Sequence, residues 1–446
     1  MSGALWRADE LAATLGVARG FDVQGISIDT RSLRPGDLFV ALSGARDGHD
    51  FVAEAFAKGA AAALVARPMP GNVILVEDTL RALEQLGRAA RARTAAKIVA
   101  VTGSVGKTTA KEMLRRMLAG FGPVHAAQAS FNNHIGVPLT LACLPRDAAF
   151  GVFEIGMNHP GEIAPLAALV RPDVGLITCI DRAHLGQMGS VEAIAREKAS
   201  LYGALVPGGA AVLPDQPPFL ALLRAPVPAG CRVLVCGEEA KLLEVAQAPD
   251  HSRVRAWLGG VDVSFRLAAP GAHMARNALG VLAVAQALGL DVARAAAALD
   301  GFAPFTGRGS QRSVALPGGG TALLLDESYN ASGASMRAAF AVLALQPGRH
   351  VAVLGDMLEL GEHAAGEHLA LRESLLPTAD IVFTCGGECK LLFDSLPRAK
   401  QGAHAPDAAT LAPLVKAALK PGDIVLVKGS YGSRMRDVVS YLESPG

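Results

Sequence analysis

Short apolar runs alternate with stretches of helical period in the first part of the chain. Over residues 1–92, the segments GISIDTRS, DLFVAL and NVILVED have the Val/Ile/Leu-rich pattern of strands. The segments DFVAEAFAKGA and TLRALEQLGRAARART carry apolar residues at helical spacing. Pro35-Gly36 predicts a turn between the first two strands. The pattern therefore predicts a small α/β domain over residues 1–92.

The alternation continues over residues 93–308 with more deeply apolar strands. KIVAV, GVFEIG and VGLITCI have the pattern of buried strands. Helical periodicity is found in TTAKEMLRRML, from Ser190 to Leu205, and in HMARNALGVLAVAQALG. This alternation predicts a mostly parallel sheet covered by helices on both faces. The Pro-rich stretch PDQPPF at 214–219 predicts a surface loop.

A third block, residues 309–446, begins at the turn-rich segment GRGSQR. Its expected strands are TALLLDE, HVAVLGD, DIVFTC and DIVLVKG. Helical or loop sequence separates them, which predicts a Rossmann-like, doubly wound parallel sheet. A length of 446 residues also fits about three domains. We therefore predict an α/β protein with a smaller N-terminal α/β domain, a central parallel-sheet domain and a Rossmann-like C-terminal domain.

Composition excludes several classes of protein. The formal net charge is +1 and no basic run occurs, which argues against a nucleic-acid partner. The six cysteines show no C-x-x-C spacing, so we expect reduced core thiols rather than a zinc or redox motif. The N-terminus lacks the apolar centre of a signal peptide, and no 18-residue apolar run predicts a membrane span. We expect a soluble cytoplasmic protein.

Residues 101–109, VTGSVGKTT, join a strand to a helix and have the pattern of a phosphate-binding loop. Glycines allow backbone N–H groups to face phosphate oxygens, Lys107 adds charge, and Thr108 offers a ligand to Mg²⁺. The common pattern needs glycine at position 101, where this chain has Val101, so the loop is a compact T-G-x-x-G-K-T-T variant. A ligand-free glycine turn is the alternative, but the strand–loop–helix context favours ATP. The expected nucleotide-binding residues are Thr102, Gly103, Ser104, Val105, Gly106, Lys107, Thr108 and Thr109.

Three further residues are candidates for metal binding or catalysis. Glu154 lies near the end of a strand, where a carboxylate beside a phosphate loop can hold Mg²⁺; a solvated strand end is the alternative. His184 follows the strand VGLITCI and could bind a metal or orient a phosphate, although most single histidines do neither. Lys198 falls within the apolar stripe of a helix, either as a site lysine or as a lysine that snorkels from its margin.

Asn277, Arg308 and Asp326 are weaker candidates when each is taken alone. Asn277 lies on a predicted helix in HMARNALG, Arg308 lies in the turn TGRGS, and Asp326 ends the strand TALLLDE. Each has an ordinary explanation as a helix cap, a surface charge or a turn former.

Taken together, these residues resemble the Mur ligase family, which joins amino acids to the peptidoglycan precursor. The T-G-x-x-G-K-T loop, Glu154, His184, Lys198, Asn277 in R-N-A-L and the G-R-G turn all match the family pattern. Within the family, four regions resemble the branch that joins D-alanyl-D-alanine to UDP-N-acetylmuramoyl-tripeptide. These regions are SIDTRSLRPGDLFVAL with GHDF, FNNHIGVPLTL, EIGMNHPGEI, and DESYNAS with VLGDMLELGE.

The resemblance implies an ATP-dependent amide ligase of peptidoglycan synthesis. The first domain would hold the UDP substrate, the second ATP, and the third would close over both and bind the incoming dipeptide. The tripeptide carboxylate would attack the γ-phosphate to give an acyl phosphate. The dipeptide amine would then attack the acyl carbon and displace phosphate. Two Mg²⁺ ions would be held, one by Thr108 and Glu154, the other by His184 and a carbamylated Lys198. The enzyme would be a monomer.

The resemblance also implies substrate contacts. Asn277 would meet the adenine, and Arg308 and Asp326 would reach phosphate and ribose. The remaining substrate-binding residues that it implies are Ser27, Asp29, Thr30 and Arg31 near uridine, Asn132 and Asn133 near the muramoyl-peptide, and Tyr329, Asn330, Lys428 and Ser430 in the third domain. One position departs from the family pattern, because Tyr431 stands where a basic residue usually follows V-K-G-S. Arg434 could supply the missing charge.

Three alternatives remain. A sister ligase that adds the third amino acid usually carries a D-N-P-R signature, which is absent here. Folylpolyglutamate synthase lacks a separate UDP-binding first domain. A regulatory ATP-binding protein would not need a second metal site. The sequence does not distinguish diaminopimelate from lysine in the acceptor tripeptide.

Overall fold

The computed structural model describes residues 3–127 and 130–444 and contains three α/β domains in sequence order. The predicted fold class is confirmed, because each domain is built on its own sheet and the two larger sheets are mostly parallel. No helix within these ranges is long and apolar enough to cross a membrane. All six cysteines are free thiols, three of them fully buried.

The N-terminal domain is built on a small parallel sheet whose strands pair in chain order. Its strands are β1 (Gly25–Ser27), β2 (Asp37–Val40), β3 (Ala62–Val65) and β4 (Val73–Leu75). Its helices are α1 (Ala8–Leu15), α2 (Val52–Ala57), which follows a 3-10 turn at Gly48–Phe51, and α3 (Thr79–Arg93). The strand expected over GISIDTRS is therefore shorter than predicted. The chain turns at Asp29, whose carbonyl oxygen accepts hydrogen bonds from the backbone of Ser32 and Leu33.

The central sheet is parallel throughout, with the strand order β10-β9-β8-β5-β7-β6. Its strands are β5 (Lys97–Thr102), β6 (Val124–Ala126), β7 (Phe150–Glu154), β8 (Val174–Ile177), β9 (Ala210–Leu213) and β10 (Arg232–Val235). The helices before β11 are α4 (Lys107–Ala119), α5 (Gly136–Ala142), α6 (Ile163–Val170), α7 (Leu185–Met188), α8 (Val191–Ala199) and α9 (Leu220–Arg224). The helix expected from Ser190 to Leu205 is α8 followed by a 3-10 helix at Ser200–Ala204.

An antiparallel sheet follows β10 and was not predicted from the sequence. It is formed by β11 (Ala240–Gln247), β12 (Ser252–Leu258) and β13 (Val261–Leu267). Along β12, Val254, Ala256 and Leu258 are buried while the residues between them are more exposed, as expected for a half-buried strand. The domain then ends with α10 (Ala272–Ala287), which packs against β11 and β12, and α11 (Val292–Leu299).

The C-terminal sheet has the order β14-β15-β19-β16-β17-β18 and is parallel except for β14. Its strands are β14 (Ser310–Ala315), β15 (Thr321–Glu327), β16 (His350–Gly355), β17 (Ile381–Cys385), β18 (Gln401–Ala405) and β19 (Ile424–Lys428). Its helices are α12 (Gly333–Leu343), α13 (Ala364–Ala370), α14 (Arg372–Leu375), α15 (Gly387–Ser395), α16 (Ala408–Ala418) and α17 (Met435–Glu443). GRGSQR is only partly a turn, because its last three residues begin β14 and Ser310 pairs with Asp326.

Candidate active site

A cavity of about 1090 Å³ lies where the carboxyl ends of the central strands face the C-terminal domain. Ligands of parallel α/β sheets bind at this edge, because the loops that follow the strands meet there. Both domains contribute walls. The expected site residues that line the cavity are Ser104, Val105, Gly106, Lys107, Thr108, Thr109, Asn132, Glu154, His184, Asn277, Arg308, Tyr329, Asn330, Lys428 and Ser430.

The phosphate-type loop joins β5 to α4, and both of its glycines are required by their surroundings. Gly103 and Gly106 have φ angles of +150° and +87°. A Cβ atom at Gly103 would lie 1.9 Å from Oγ1 of Thr178, and one at Gly106 would lie 2.6 Å from Oδ1 of Asn277. Lys107 begins α4, and its Nζ donates to the carbonyl oxygen of Gly103 at 2.8 Å. Asn277 on α10 therefore lies directly against the loop.

Glu154 ends β7 beside this loop and presents an unsatisfied oxygen. The side chain is buried, and its Oε1 accepts a hydrogen bond from Nδ2 of Asn132 at 2.8 Å. Its Oε2 has no hydrogen-bond partner among the described residues. The Thr108 hydroxyl lies 3.3 Å from Oγ of Ser130 on the same side of the cavity. A carboxylate and a hydroxyl form the hard-oxygen donor set that Mg²⁺ prefers, so these residues fit the expected ion.

Lys198 lies on α8, whose first turn is capped by the Ser190 hydroxyl. Its side chain is 1% exposed, and within residues 3–127 and 130–444 its amine has neither a hydrogen bond nor an ion pair. Burial lowers the pKa of Lys198 well below its usual value, and the positive charge of Lys107 lowers it further. This shift favours the neutral, nucleophilic form of the amine. It lies behind the cavity surface rather than on it.

His184 contacts the C-terminal domain directly. Its Nδ1 lies 2.5 Å from Oε2 of Glu359, which comes from the loop after β16. This contact with His184 lowers the pKa of the Glu359 carboxyl group more than burial raises it. Both residues have left-handed backbones, with φ of +60° and +67°. His184 thus meets a partner that the sequence did not predict.

Arg308 lines the cavity, whereas Asp326 lies behind it. The Asp326 side chain is buried, and its Oδ2 accepts hydrogen bonds from the backbone N–H of Gly307 and from Nη2 of Arg312, both at 2.9 Å. Its Oδ1 accepts from the backbone and hydroxyl of Ser328. Asp326 therefore fixes the turn that carries Arg308, and its contact with ribose stays a prediction.

Tyr431 packs against a second aromatic ring, which is tilted by 58° relative to its own. Its ring centre lies 5.8 Å from that of Tyr329, and the Arg308 guanidinium lies 3.9 Å from the centre of the Tyr329 ring. The Arg436 guanidinium lies 4.5 Å from the centre of the Tyr431 ring. Arg434, which was expected to supply the missing charge, does not line the cavity and pairs with Asp437 at 2.7 Å, so its role stays a prediction.

Lys428 and Ser430, two of the four substrate-binding residues expected in the third domain, are both hydrogen-bonded to the wall of the cavity. Lys428 is buried, and its Nζ donates to the carbonyl oxygen of Asn330 at 2.9 Å and lies 3.4 Å from Glu327. Burial lowers the pKa of Lys428, although the Glu327 carboxylate opposes the shift. The Ser430 hydroxyl oxygen accepts from the backbone N–H of Leu358 at 2.9 Å.

Several expected site residues do not reach this cavity. Besides Lys198 and Asp326, they are Thr102, Gly103, Asn133, Ser27, Asp29, Thr30 and Arg31. Asn133 is bonded to the start of α5, because its Oδ1 accepts from the backbone N–H of Gly136 at 2.9 Å. The last four lie in the N-terminal domain, where the exposed Arg31 pairs with Asp29. Their contact with uridine stays a prediction.

Three cavity residues, Pro214, Asp215 and Gln216, lie where the sequence predicted only a surface loop. Gln216, in PDQPPF, accepts a hydrogen bond from the Ile180 N–H at 2.7 Å and donates to the Ile180 carbonyl at 2.8 Å. It therefore ties the Pro-rich segment to the loop after β8. This role could not be predicted, because a glutamine that hydrogen-bonds to backbone has no sequence signature.

A second group of metal-type side chains, Asp356, His368 and Cys389, is satisfied by the protein itself. Asp356 accepts from the backbone N–H of Cys389 at 2.7 Å. His368 accepts from the backbone of Met357 through Nε2, while its Nδ1 lies 2.7 Å from the Ala364 carbonyl oxygen. The group stabilises the loop after β16 and is not a metal centre.

Family models match most of the chain. A model of the Mur ligase family catalytic domain matches residues 22–115, one of the Mur ligase middle domain matches 101–285, and one of the Mur ligase glutamate ligase domain matches 316–431. Two curated relatives are UDP-N-acetylmuramoyl-tripeptide–D-alanyl-D-alanine ligases. The one from Synechocystis is 35% identical over 97% of this chain and 94% of its own length. The one from Escherichia coli K12 is 34% identical over 97% and 96%.

Solved structures give the same relationship. A crystal structure of MurF from Acinetobacter baumannii superposes with a TM-score of 0.88 at 30% identity and covers 99% of this chain and 100% of that one. MurF from Thermotoga maritima in complex with ADP gives 0.79 at 28% identity, over 94% and 97%. A Mycobacterium tuberculosis folylpolyglutamate synthase gives 0.65 at 18% identity over 82% and 95%, which shows a shared fold alone.

Proposed function

The chain belongs to the Mur ligase family, and we propose that it joins D-alanyl-D-alanine to UDP-N-acetylmuramoyl-tripeptide at the expense of ATP. The reaction would produce the UDP-muramoyl-pentapeptide of peptidoglycan synthesis. One observation carries the proposal: a single cavity brings the phosphate-type loop, the buried carboxylate Glu154 and the C-terminal Lys428 together. Curated relatives named UDP-N-acetylmuramoyl-tripeptide–D-alanyl-D-alanine ligase match almost the whole chain, which supports the same substrates for this protein.

The chemistry requires positive charge where two anions meet. A carboxylate is a poor electrophile, so it is first phosphorylated, and the resulting acyl phosphate gives the amine a good leaving group. The tripeptide carboxylate and the γ-phosphate repel each other as they approach. Lys107 and the N-terminal end of α4 supply fixed positive potential at this point. Arg308, held against Tyr329, would add charge from the C-terminal domain.

We propose that Thr108 and Glu154 hold one Mg²⁺, and that His184 and Lys198 hold a second. The unsatisfied Oε2 of Glu154 supports the first assignment. When bound, such ions neutralise phosphate charge and orient the transferred group. Asn132 would keep the Glu154 carboxylate in one rotamer through its hydrogen bond.

Lys198 would act as a carbamate rather than as an ammonium. A neutral amine attacks CO₂, forms an N–C bond and releases one proton, which leaves an anionic oxygen ligand. The surroundings of Lys198 favour the neutral amine, because burial and the Lys107 charge both lower its pKa. A buried cation would otherwise be destabilising.

The remaining assignments follow from the family. We propose domain limits at 1–92, 93–308 and 309–446, with Ser27, Asp29, Thr30 and Arg31 near uridine and Asn132 and Asn133 near the muramoyl-peptide. Asn277, which lies against Gly106, would contact adenine nucleotide, and Asp326 would act at the ribose or through Arg308. Tyr329, Asn330, Lys428 and Ser430 would receive the dipeptide. We also propose that the protein is a cytoplasmic monomer.

Phosphate release tests the proposed function. With ATP, Mg²⁺ and UDP-muramoyl-tripeptide, we expect multiple-turnover phosphate release only when D-alanyl-D-alanine is added. Diaminopimelate or glutamate in place of the dipeptide should not support turnover. Release that follows either of these amino acids would favour a sister ligase, and release without any amine would indicate an ATPase.

A further inference from the structure

The loop that carries His184 packs tightly against a loop of the C-terminal domain. The first loop runs from the end of β8 through α7, and the second follows β16. The backbone N–H of Gly186 donates to the Glu359 carbonyl oxygen at 3.1 Å. Gly186 and Gly361 pack so closely that a Cβ atom at Gly361 would lie 2.9 Å from Cα of Gly186. The two domains therefore meet backbone to backbone at this point.

Where these two loops meet, the Glu359 carboxylate contacts the side chain of His184. Nδ1 of His184 lies 2.5 Å from Oε2 of Glu359, within ion-pair distance but without the alignment of a hydrogen bond, so Nδ1 is the ring nitrogen that faces the carboxylate. Nε2 then remains as the ring nitrogen for a ligand, and no described residue hydrogen-bonds to it. Metal-binding histidines usually donate their second ring N–H to a carboxylate or carbonyl, which fixes the tautomer and the ring orientation.

His184 and Glu359 both adopt a left-handed backbone conformation, which residues other than glycine rarely take. His184 and Glu359 are two of four such residues in the described part of the chain, with φ of +60° and +67°. A strained backbone of this kind persists only where its surroundings hold it, and it is common at functional sites. The contact is therefore held in place from both sides.

The Glu359 loop is also connected to the far side of the cavity. The backbone N–H of Leu358, the preceding residue, donates to Oγ of Ser430 at 2.9 Å. Ser430 belongs to the proposed dipeptide end of the site. Contacts therefore link Ser430 to Leu358 and, through the adjacent Glu359, to His184.

We propose that Glu359 is a positioning residue that orients His184 for metal binding, and that it acts only while the C-terminal domain lies against the central domain. The second metal site is then complete only in the closed molecule, which protects ATP from hydrolysis before all substrates have bound. This inference rests on the proposed function, because it takes His184 as a metal ligand.

Mn²⁺ binding followed by electron paramagnetic resonance, with a nonhydrolysable ATP analogue and UDP-muramoyl-tripeptide present, tests the inference. We expect two Mn²⁺ ions per wild-type chain. Glu359→Ala should weaken one of them about 10- to 100-fold, the usual cost of losing a residue that orients a metal ligand. Glu359→Gln, which retains an acceptor oxygen, should lie between Glu359→Ala and wild type. Affinity for the ATP analogue should change little in either variant.

Glu367→Gln is the matched control. Glu367 also joins the two domains, through a 2.7 Å ion pair with Arg182, but it has no contact with His184. We expect it to leave both Mn²⁺ affinities within about twofold of wild type, since partly exposed ion pairs contribute little. Equal losses of Mn²⁺ affinity in Glu367→Gln and Glu359→Ala would mean that Glu359 only holds the two domains together, and would overturn the inference. Wild-type affinity in Glu359→Ala would also overturn it, whereas a wild-type chain that binds no Mn²⁺–nucleotide would overturn the proposed function itself.

Discussion

At the scale of single residues, Lys198 is the side chain whose burial most needs a functional explanation. The apolar stripe of α8 indicated a buried amine, and the structure places it at 1% exposure without a partner among the described residues. Nearby Glu197 offsets only part of the loss of hydration, because the pKa of Lys198 is lowered well below its usual value. A residue that destabilises its own domain is expected where activity requires it.

Replacement of Lys198 by Met should therefore separate stability from activity. We expect the variant to resist urea at least as well as wild type, because an apolar side chain of similar length fits the buried position. Turnover should fall roughly a hundredfold, because one anionic ligand is lost. Added short carboxylic acids should partly restore activity in the smaller Lys198→Ala variant. Full activity in both variants would remove Lys198 from the site.

The pH dependence of stability follows from the same side chain. The pKa of Lys198 is lowered in the folded state, so between that value and the unfolded value of about 10.4 the unfolded chain binds more protons. The free energy of unfolding must then rise with pH across this window in CO₂-free buffer. Lys198→Met should lack this component of the rise. Parallel urea titrations of the two proteins measure it, and identical pH slopes would contradict the burial of an uncompensated amine.

Lys107 allows a sharper comparison, because β5, the strand that leads into its loop, carries a second lysine. Lys107→Ala should reduce turnover by a factor on the order of a thousand, since it removes a charge that faces the transferred phosphoryl group. Lys97 lies at the opposite end of β5, where it is 61% exposed and pairs with Asp173. Lys97→Ala should retain nearly full activity. Similar activities for the two folded variants would exclude the phosphate-loop assignment.

Residue patterns in the sequence identified the phosphate loop, Glu154 and His184, because each lies at the carboxyl end of an apolar strand. They did not identify Glu359 or Gln216. Both lie in loops whose conformation depends on contacts between segments far apart in the chain, and such contacts leave no periodic signal. Arg434 is a different case, because its partner Asp437 lies only three residues further along the chain.

At the scale of elements, strand–loop–helix order was predictable, and strand ends were not. The parallel strands were visible as apolar runs, because both faces of each sheet are covered. The β11–β13 sheet was missed, although the alternation in SRVRAWL was available. β14 was taken for a turn because GRGSQR is rich in glycine and polar residues, and pairing with β15 overrides that preference.

The loop between β5 and α4 yields an element-scale prediction. Gly106→Ala places a methyl group 2.6 Å from Asn277 in a left-handed conformation, so it should displace α10 from the loop and abolish ATP binding. Gly208 has a similar φ of +74° with no atom within 4 Å of its Cβ position. Gly208→Ala should therefore cost only about 1–2 kcal/mol of backbone strain and leave nucleotide affinity unchanged. Calorimetric titration with an ATP analogue distinguishes the two, and tight binding by Gly106→Ala would contradict the close packing described above.

At the scale of the whole molecule, the site is assembled from two domains, so their relative movement should control access. The turn at Gly307 is bonded to Asp326 and thus belongs to the C-terminal domain. Phe302 pairs with Leu267 of the central domain. Residues 303–306 between them are therefore a better candidate for the hinge than the glycine-rich GRGSQR segment.

Small-angle scattering should detect this movement. We expect the radius of gyration to fall when a nonhydrolysable ATP analogue and UDP-muramoyl-tripeptide are added, because contacts between the domains then favour the closed form. Gly361→Ala, which forces the loops that carry His184 and Glu359 apart, should weaken this response. An unchanged radius in the wild-type protein at saturating ligand would indicate that the domains are already locked.

Isotope transfer during one turnover tests the central claim most directly. The acceptor, UDP-muramoyl-tripeptide, would carry ¹⁸O in both oxygens of its terminal carboxylate, and the products would be weighed by mass spectrometry. Attack of this carboxylate on the γ-phosphate, followed by attack of the dipeptide amine, must leave one ¹⁸O in the new amide and one in the released phosphate. We predict a pentapeptide product of this mass together with singly labelled phosphate, formed only when D-alanyl-D-alanine is present. Unlabelled phosphate, or a product without the added dipeptide, would contradict the account.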